Sequence, residues 1–301
     1  MESLSTRERV DWVDRHYEKI GSKREAAKVI GISISTYHAD PKISRSEREE
    51  FEADVRGKIE QVRVEQPMTG YRPLLRHLKR QGVVIGERKL RQIIKKFELQ
   101  VRPKKRFVKT TMSDHNQRRF PNLIEEMTID SINQVWASDI TYIRIENGFV
   151  YLAVIIDLFS RKIIGWQISK RIDSKLVVDA LQMALERRKP NRGAIHHSDQ
   201  GVQYLSDDYV SLLHENGFYV SCSEKGNPYD NAWTESFMKT LKYNEVYLWN
   251  YKTILDVIER VPYFIEEIYN RKRLHSALDY QTPEEYEDIN NTEARRPKFK
   301  L

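Results

Sequence analysis

Between Val135 and Ser169 the chain runs through three apolar segments rich in β-branched and aromatic residues, VWASDITYIRI, FVYLAVIIDLFS and KIIGWQIS. Little separates them except Asn147-Gly148 and Ser160-Arg161, the first of which is a strong hairpin signal. Three antiparallel strands follow. Helical periodicity begins at Ser174 and lasts to Arg188, through Leu176, Val177, Ala180, Leu181, Ala184 and Leu185. A short strand is expected over Ala194 to His197, a helix over Asp207 to Asn216, a strand over Phe218 to Cys222 and a long helix from about Asn231. A last amphipathic helix is expected over residues 252 to 272. Meandering strands followed by alternating helices and strands predict an α/β fold, a mixed sheet flanked by helices.

The upstream part has another character. Residues 1–120 carry 29 Lys+Arg against 17 Asp+Glu, whereas residues 121–301 carry 22 against 27. Residues 67–119 alone hold 16 basic and 3 acidic side chains, a field whose commonest use is to neutralise nucleic-acid phosphates, the alternative being a solvated basic helix or linker. In KREAAKVIGISISTYH, from Lys23 to His38, a helical segment with Ala26 and Ala27, a break at Gly31 and Ser33 as N-cap predict a helix-turn-helix-like pair. Such a unit serves either to read DNA or simply to pack. Ser44 to Glu65 alternates charges at helical spacing and predicts an exposed connecting helix. Over Thr69 to Leu99, Leu74, Leu75, Leu78 and then Leu90, Ile93, Ile94, Phe97 predict two amphipathic helices around a break at Gly82 to Gly86. Arg72, Arg76, Lys79, Arg80, Arg88, Arg91, Lys95 and Lys96 occupy their other faces and are candidate DNA contacts. So are Lys104, Lys105 and Arg106 in an extended basic tail, Arg102 to Arg106, which marks the domain boundary.

The longest uncharged apolar run, Phe149 to Ile156, has eight residues, too short to span a membrane. The amino terminus lacks the apolar stretch of a secretory signal, so a cytoplasmic protein is expected. Cys222 is the only cysteine, which excludes an intramolecular disulfide and a thiolate cluster for zinc. Any metal must sit on oxygen or imidazole.

Three carboxylates stand where a shared site is possible. Asp139 lies within the first strand, Asp199 follows the Ala194–His197 strand at its carboxyl end, and Glu235 falls in a helix with Lys239 and Lys242 at i+4 and i+7. Clustered carboxylates need cations, and a hard oxygen donor set selects magnesium or manganese. A pair of such ions about 3.5–4 Å apart clamps the attacking and leaving oxygens of a phosphodiester displacement. From spacing alone Asp157, Asp173 and Asp230 compete as ligands, Asp157 most seriously because it ends an apolar strand. His196 and His197 are read as packed, hydrogen-bonded strand-end residues outside the coordination shell.

These residues sit in blocks that resemble a known family. Trp136-Ala-Ser-Asp139-Ile-Thr-Tyr142, His197-Ser-Asp199-Gln-Gly201-Val-Gln-Tyr204 and Asn227-Pro-Tyr-Asp-Asn231-Ala-Trp-Thr-Glu235-Ser-Phe resemble the DDE integrase core of bacterial insertion-sequence transposases, of the retroviral-integrase superfamily. Thirty-five residues separate Asp199 from Glu235, the spacing of that group. Tyr269-Asn-Arg-Lys-Arg-Leu-His275-Ser-Ala-Leu-Asp-Tyr280-Gln-Thr-Pro283 is similar to the block that closes the domain, and Thr69 to Leu99 is similar to the family's basic helical domain. The resemblance implies a ribonuclease-H-like fold with Asp139, Asp199 and Glu235 binding two Mg²⁺ ions, for which Mn²⁺ substitutes. It implies an enzyme that nicks the ends of an insertion sequence and joins them to target DNA without a covalent protein–DNA intermediate, with Lys242 contacting DNA. It demotes Asp157, which matches a position outside the family's triad.

The expected partners are double-stranded DNA, a second copy of the chain on paired ends and an upstream-frame DNA-binding protein, since the family's active form is commonly a frameshift fusion. No membrane partner is expected, and the expected place is the bacterial cytoplasm, at the nucleoid. No sustained heptad pattern is present, nor the His/Cys zinc module of retroviral integrases. The expected organisation is a helix-turn-helix-like segment at 1–43, a connecting helix at 44–66, a basic helical DNA-binding domain with its tail at 67–120, the catalytic core at 121–290 and a tail at 291–301. Two rival functions share the same features, a metal-dependent nuclease without strand transfer and a non-catalytic DNA-binding regulator.

Overall fold

In a computed structural model that describes residues 5–39, 45–101, 120–223 and 231–294, Ser5 opens helix α1 (Thr6–Ile20) with a capping box to Glu8. The sequence patterns above assign no element to these residues. Helices α2 (Lys23–Val29) and α3 (Ile34–Ala39) follow as the Lys23–His38 pattern predicts, joined through Gly31 at φ +75°, a left-handed conformation that suits glycine. Val10 and Val13 of α1 pack with Ala26, Ala27, Ile30 and Tyr37, so three helices share this small core. Helix α4 (Arg45–Glu65) runs out of this unit, Met1–Gly57, into a second one, Lys58–Leu301. It is less exposed than its charge pattern predicts, because Val55 and Ile59 are fully buried.

In the second unit the basic pair forms as expected. Helices α5 (Tyr71–Arg80) and α6 (Glu87–Lys96) bury Leu74, Leu78, Leu90, Ile93 and Ile94 and leave their cationic faces exposed. Residues 102–119 lie outside the described residues, the candidates Lys104, Lys105 and Arg106 among them.

The three expected strands are β1 (Val135–Ile145), β2 (Gly148–Asp157) and β3 (Ile163–Ser169), paired antiparallel. Ile145 pairs with Gly148, so the turn residues are Glu146 and Asn147, and Gly148 itself takes φ +119° as the first paired residue. Helix α7 (Ser174–Arg187), strand β4 (Ile195–Ser198), helix α8 (Asp207–Glu215) and strand β5 (Tyr219–Cys222) follow. The strand order is β3-β2-β1-β4-β5, with β4 parallel to both β1 and β5. This is the ribonuclease-H-like mixed sheet implied by the motif blocks.

The pleat divides the core into two layers, since neighbouring residues face opposite ways. Trp136 packs with α7 and α8, through Leu176, Val177, Ala180, Tyr209 and Leu213. Val135 and Ala137 pack on the other face with helix α9 (Ala232–Leu241) and helix α10 (Ile254–Tyr263), through Phe237, Met238, Leu241, Val257 and Val261. Gly165 marks the closest approach of β3 to α7: a Cβ there would lie 2.4 Å from the Ala180 carbonyl oxygen.

The carboxyl-terminal part departs from expectation twice. The predicted helix over 252–272 is α-helical only to Tyr263 and continues as a π-helical stretch, Phe264–Lys272, just after Pro262, which has no N–H to donate. Nor is it the last helix. Helix α11 (Pro283–Ala294) follows, docked through buried Glu287, which accepts from Ser160 (2.7 Å) and Arg188 (2.6 Å). Its sequence is too polar to show an apolar stripe, and its anchors are partners more than a hundred positions upstream or close to it.

Candidate active site

Strand pairing brings the first two carboxylates together. β1 and β4 run parallel with Ala137 opposite His197, and Asp139 and Asp199 each lie two residues farther on. Asp139 shares the face of Val135 and Ala137, the face covered by α9. Thr234, Phe237, Met238 and Leu241 bury the inner stripe of that helix, which leaves Glu235 and Lys239 exposed beside it and Lys242, in the π-helical turn Lys242–Val246, half-buried.

The electrostatics tie these groups into one field. The Asp139 carboxyl is pushed up to about 7, chiefly by burial and then by the negative charge of Asp199, with Glu235 adding to it. The Ile140 N–H, which donates to Asp139 Oδ1 at 2.8 Å, and the Lys242 ammonium oppose the rise. Burial lowers the pKa of Lys242, and Asp139 partly restores it. The ammonium sits 4.7 Å from the Tyr142 ring centroid. Asp199 is oriented by its own turn: the Gly201 N–H donates to Oδ1 at 2.9 Å, and a Cβ on Gly201 would lie 2.9 Å from that oxygen.

Burial separates the competing residues. Asp157 is fully buried and accepts from the backbone N–H groups of Asn133 (2.7 Å), Phe159 (2.9 Å) and Ser160 (3.1 Å). It holds two turns together and has no open oxygen face. Asp173 caps α7, accepting from the Leu176 N–H at 3.2 Å. Asp230 lies outside the described residues. His196 is buried and hydrogen-bonded to Ser138 (2.7 Å) and Tyr209 (2.9 Å), and its pKa falls to about 3 through burial and then the neighbouring His197. His197 is bonded to Ser221 at 2.8 Å, so both imidazoles serve the interior, as expected for strand-end histidines.

Spacing does not single out Tyr204. Its ring is buried, its hydroxyl has no hydrogen-bond partner among the described residues, and it lies in the field of both Asp139 and Asp199. The only advance signal is its place in the block that contains Asp199.

The donor chemistry fits a hard divalent cation: carboxylate oxygens, no thiolate, and an Asp139 carboxyl raised to about 7 by burial and then by the neighbouring negative charges. Among the described residues, however, no three His, Cys, Asp or Glu side chains close to ligand distance around one point.

The cationic candidates on α5 and α6 divide into two sets. Arg80 donates to Glu285 (2.8 and 3.0 Å) and to the Tyr280 carbonyl (3.0 Å), and Arg76 lies 4.7 Å from the Tyr280 ring centroid. These two hold α5 to the carboxyl-terminal segment. Arg72, Lys79, Arg88, Arg91, Lys95 and Lys96 remain on exposed positions. No described helix is long and apolar enough to cross a membrane.

Comparison with known proteins places these features in context. The family model described as an integrase core domain matches residues 130–228, and a second model of the same description matches residues 216–283. The transposase for insertion sequence element IS904 of Lactococcus lactis is 45% identical over 172 residues, covering 57% of this chain and 68% of that protein. An uncharacterized 31 kDa protein of insertion element IS600 from Shigella sonnei is 34% identical over 258 residues, covering 85% of this chain and 95% of that protein. Among solved structures, the catalytic core domain of BIV integrase covers 54% of this chain and 99% of its own, at 18% identity and a TM-score of 0.42.

Proposed function

Since the chain belongs to the insertion-sequence transposases built on an integrase core domain, we propose that Asp139, Asp199 and Glu235 are its catalytic carboxylates. It is a DNA transposase, a polynucleotidyl transferase of a family whose strand transfer depends on a divalent metal. The finer assignment is that these three residues hold two Mg²⁺ ions, with Mn²⁺ as a substitute. The observation that carries it is the Asp139 carboxyl, lifted to about 7 first by burial and then by the negative charges of Asp199 and Glu235 that share its surroundings.

The chemistry such ions supply is neutralisation of the crowded carboxylates and a clamp on the attacking and leaving oxygens. The chain's own residues prepare the rest. The Gly201 N–H fixes the Asp199 carboxylate, and the Ile140 N–H fixes Asp139. Lys242, half-buried against Tyr142, faces the carboxylates with a positive charge suited to a DNA phosphate, and exposed Lys239 extends that charge along the same side of α9. The buried Tyr204 hydroxyl, held protonated by its surroundings, offers a donor beside Asp139 and Asp199.

The proposal extends to organisation. Residues 121–290 form the catalytic core, 67–120 the basic DNA-binding domain, 44–66 the connecting helix, and 1–43 a helix-turn-helix-like segment, with a tail at 291–301. Double-stranded DNA is the polyanionic partner of the basic region, and copies of the chain pair two element ends. An upstream-frame partner protein and a place at the bacterial nucleoid complete the proposal.

The test is incubation of purified protein with Mg²⁺ and labelled DNA carrying the element's own ends, with Asp199→Asn in parallel. Nicked and joined products that vanish in the variant are expected. Nicking without joining would favour a nuclease, and equal products from the variant would overturn the assignment of Asp199.

A further inference from the structure

A cavity of about 830 Å³ opens in the basic helical region, between the end of α4, the start of α5, the length of α6 and residues 100–101. Among the described residues its cations are Arg63, Arg88, Arg91 and Lys95, and Glu87 is the only acid on its wall. Glu87 is matched within α6 by Arg91, 3.7 Å away. Arg88 and Lys95 have no carboxylate partner among the described residues.

Arg63 is fixed from behind. Its guanidinium donates to the Leu99 carbonyl and, at 3.3 Å, to the Thr69 carbonyl, while its buried Nε has no hydrogen-bond partner among the described residues. A buried guanidinium N–H without an acceptor is costly unless something else supplies one. A phosphate oxygen is the acceptor such a cluster suits.

Phosphate binding alone does not require the remainder of the wall. Tyr71 contributes an aromatic ring with two guanidinium groups beside it, Arg91 at 5.3 Å and Arg72 at 5.6 Å from the centroid, and Ile94 and Val101 contribute apolar surface. Gln92 and Gln100 contribute carboxamides, which both donate and accept. A layered aromatic and guanidinium face with carboxamides at its margin suits a nucleobase, stacked through its plane and bonded at its edge. The volume is large enough for a nucleotide, and the mouth is open to solvent along the exposed side chains Arg88, Arg91, Gln92 and Lys95.

We infer that this cavity receives an unpaired nucleotide of the DNA, its phosphate on Arg63, Arg88 and Lys95 and its base on Tyr71 and Arg91. The inference rests on the reading of the chain as a protein that works on DNA ends. Extruding a base from an intact duplex costs a few kcal/mol, so a frayed or nicked end is the favoured donor of such a nucleotide.

The experiment measures fluorescence anisotropy of the full-length protein with a labelled duplex, either fully paired or carrying a short unpaired end. Wild type, Tyr71→Phe, Tyr71→Leu, Gln92→Ala and Arg88→Gln are compared after circular dichroism has shown each to be folded. Wild type and Tyr71→Phe are expected to prefer the unpaired end by about tenfold or more, the scale of one stacked base. Tyr71→Leu and Gln92→Ala should reduce that preference while leaving paired-duplex affinity unchanged, and Arg88→Gln should weaken both. No preference in wild type, or an equal loss on both DNAs in Tyr71→Leu, overturns the pocket. Strand transfer by the same preparations separates the two readings: joining without a preference defeats the pocket alone, and a preference without joining counts against the transposase chemistry alone.

Discussion

Asp139 shows how one residue acquires its character from its neighbours. A strand aspartate in water titrates near 3.8, and here burial, Asp199 and Glu235 raise it to about 7. In the metal-free protein the folded state therefore binds more protons than the unfolded chain between these values. Stability consequently falls as pH rises from about 4 to about 7 and levels off above, the sign that belongs to a raised carboxyl. A divalent cation needs the carboxylate, so below about 7 its binding must expel that proton. The rise in melting temperature on adding Mg²⁺ should thus be larger at pH 8 than at pH 6. Equal rises at both pH values would remove Asp139 from the ligand set. At this scale the sequence already set Asp139, Asp199 and Glu235 in motif blocks, but it could not separate Asp157 from them by spacing. The separation depends on three backbone N–H groups that only the fold delivers to Asp157.

Elements were legible where periodicity was strong. The three strands, α5, α6 and α7 lie within about three residues of the expected segments, because each combines an apolar run or stripe of the right period with a turn signal at its end. Helix α11 was not legible, because buried charge pairs rather than an apolar stripe hold it. The packing of β3 on α7 likewise depends on a glycine whose purpose is invisible in one dimension. Gly165→Ala places a methyl group 2.4 Å from the Ala180 oxygen and 2.8 Å from the Ala184 Cβ, so the strand and helix must separate. The expected loss is about 1–3 kcal/mol, read as a lower denaturation midpoint at an unchanged slope. An unaltered midpoint would show that the interface yields without cost.

For the whole molecule, the charge partition is the feature with the longest reach. The first 120 residues carry the excess of Lys and Arg and the remainder the excess of Asp and Glu, so the chain has a cationic region of the kind that attracts a polyanion and acidic groups elsewhere. Neutralising Lys104, Lys105 and Arg106 together should flatten the log–log salt dependence of DNA binding by about 0.9 for each phosphate that no longer meets a cation. A salt titration with an unchanged slope would take that tail off the DNA. The sequence by itself determined the order of strands and helices from α2 to α10, the amphipathic faces and this charge partition, because hydrophobic period, turn residues and net charge are local properties of a chain. Only the tertiary structure decided that β4 lies parallel beside β1, which sets Asp199 next to Asp139 across about sixty residues of chain. It also brought Arg76 and Arg80 against the carboxyl-terminal segment and left Arg88, Arg91 and Lys95 around a cavity. Field, burial and reach depend on distances through space, and a one-dimensional pattern does not contain them.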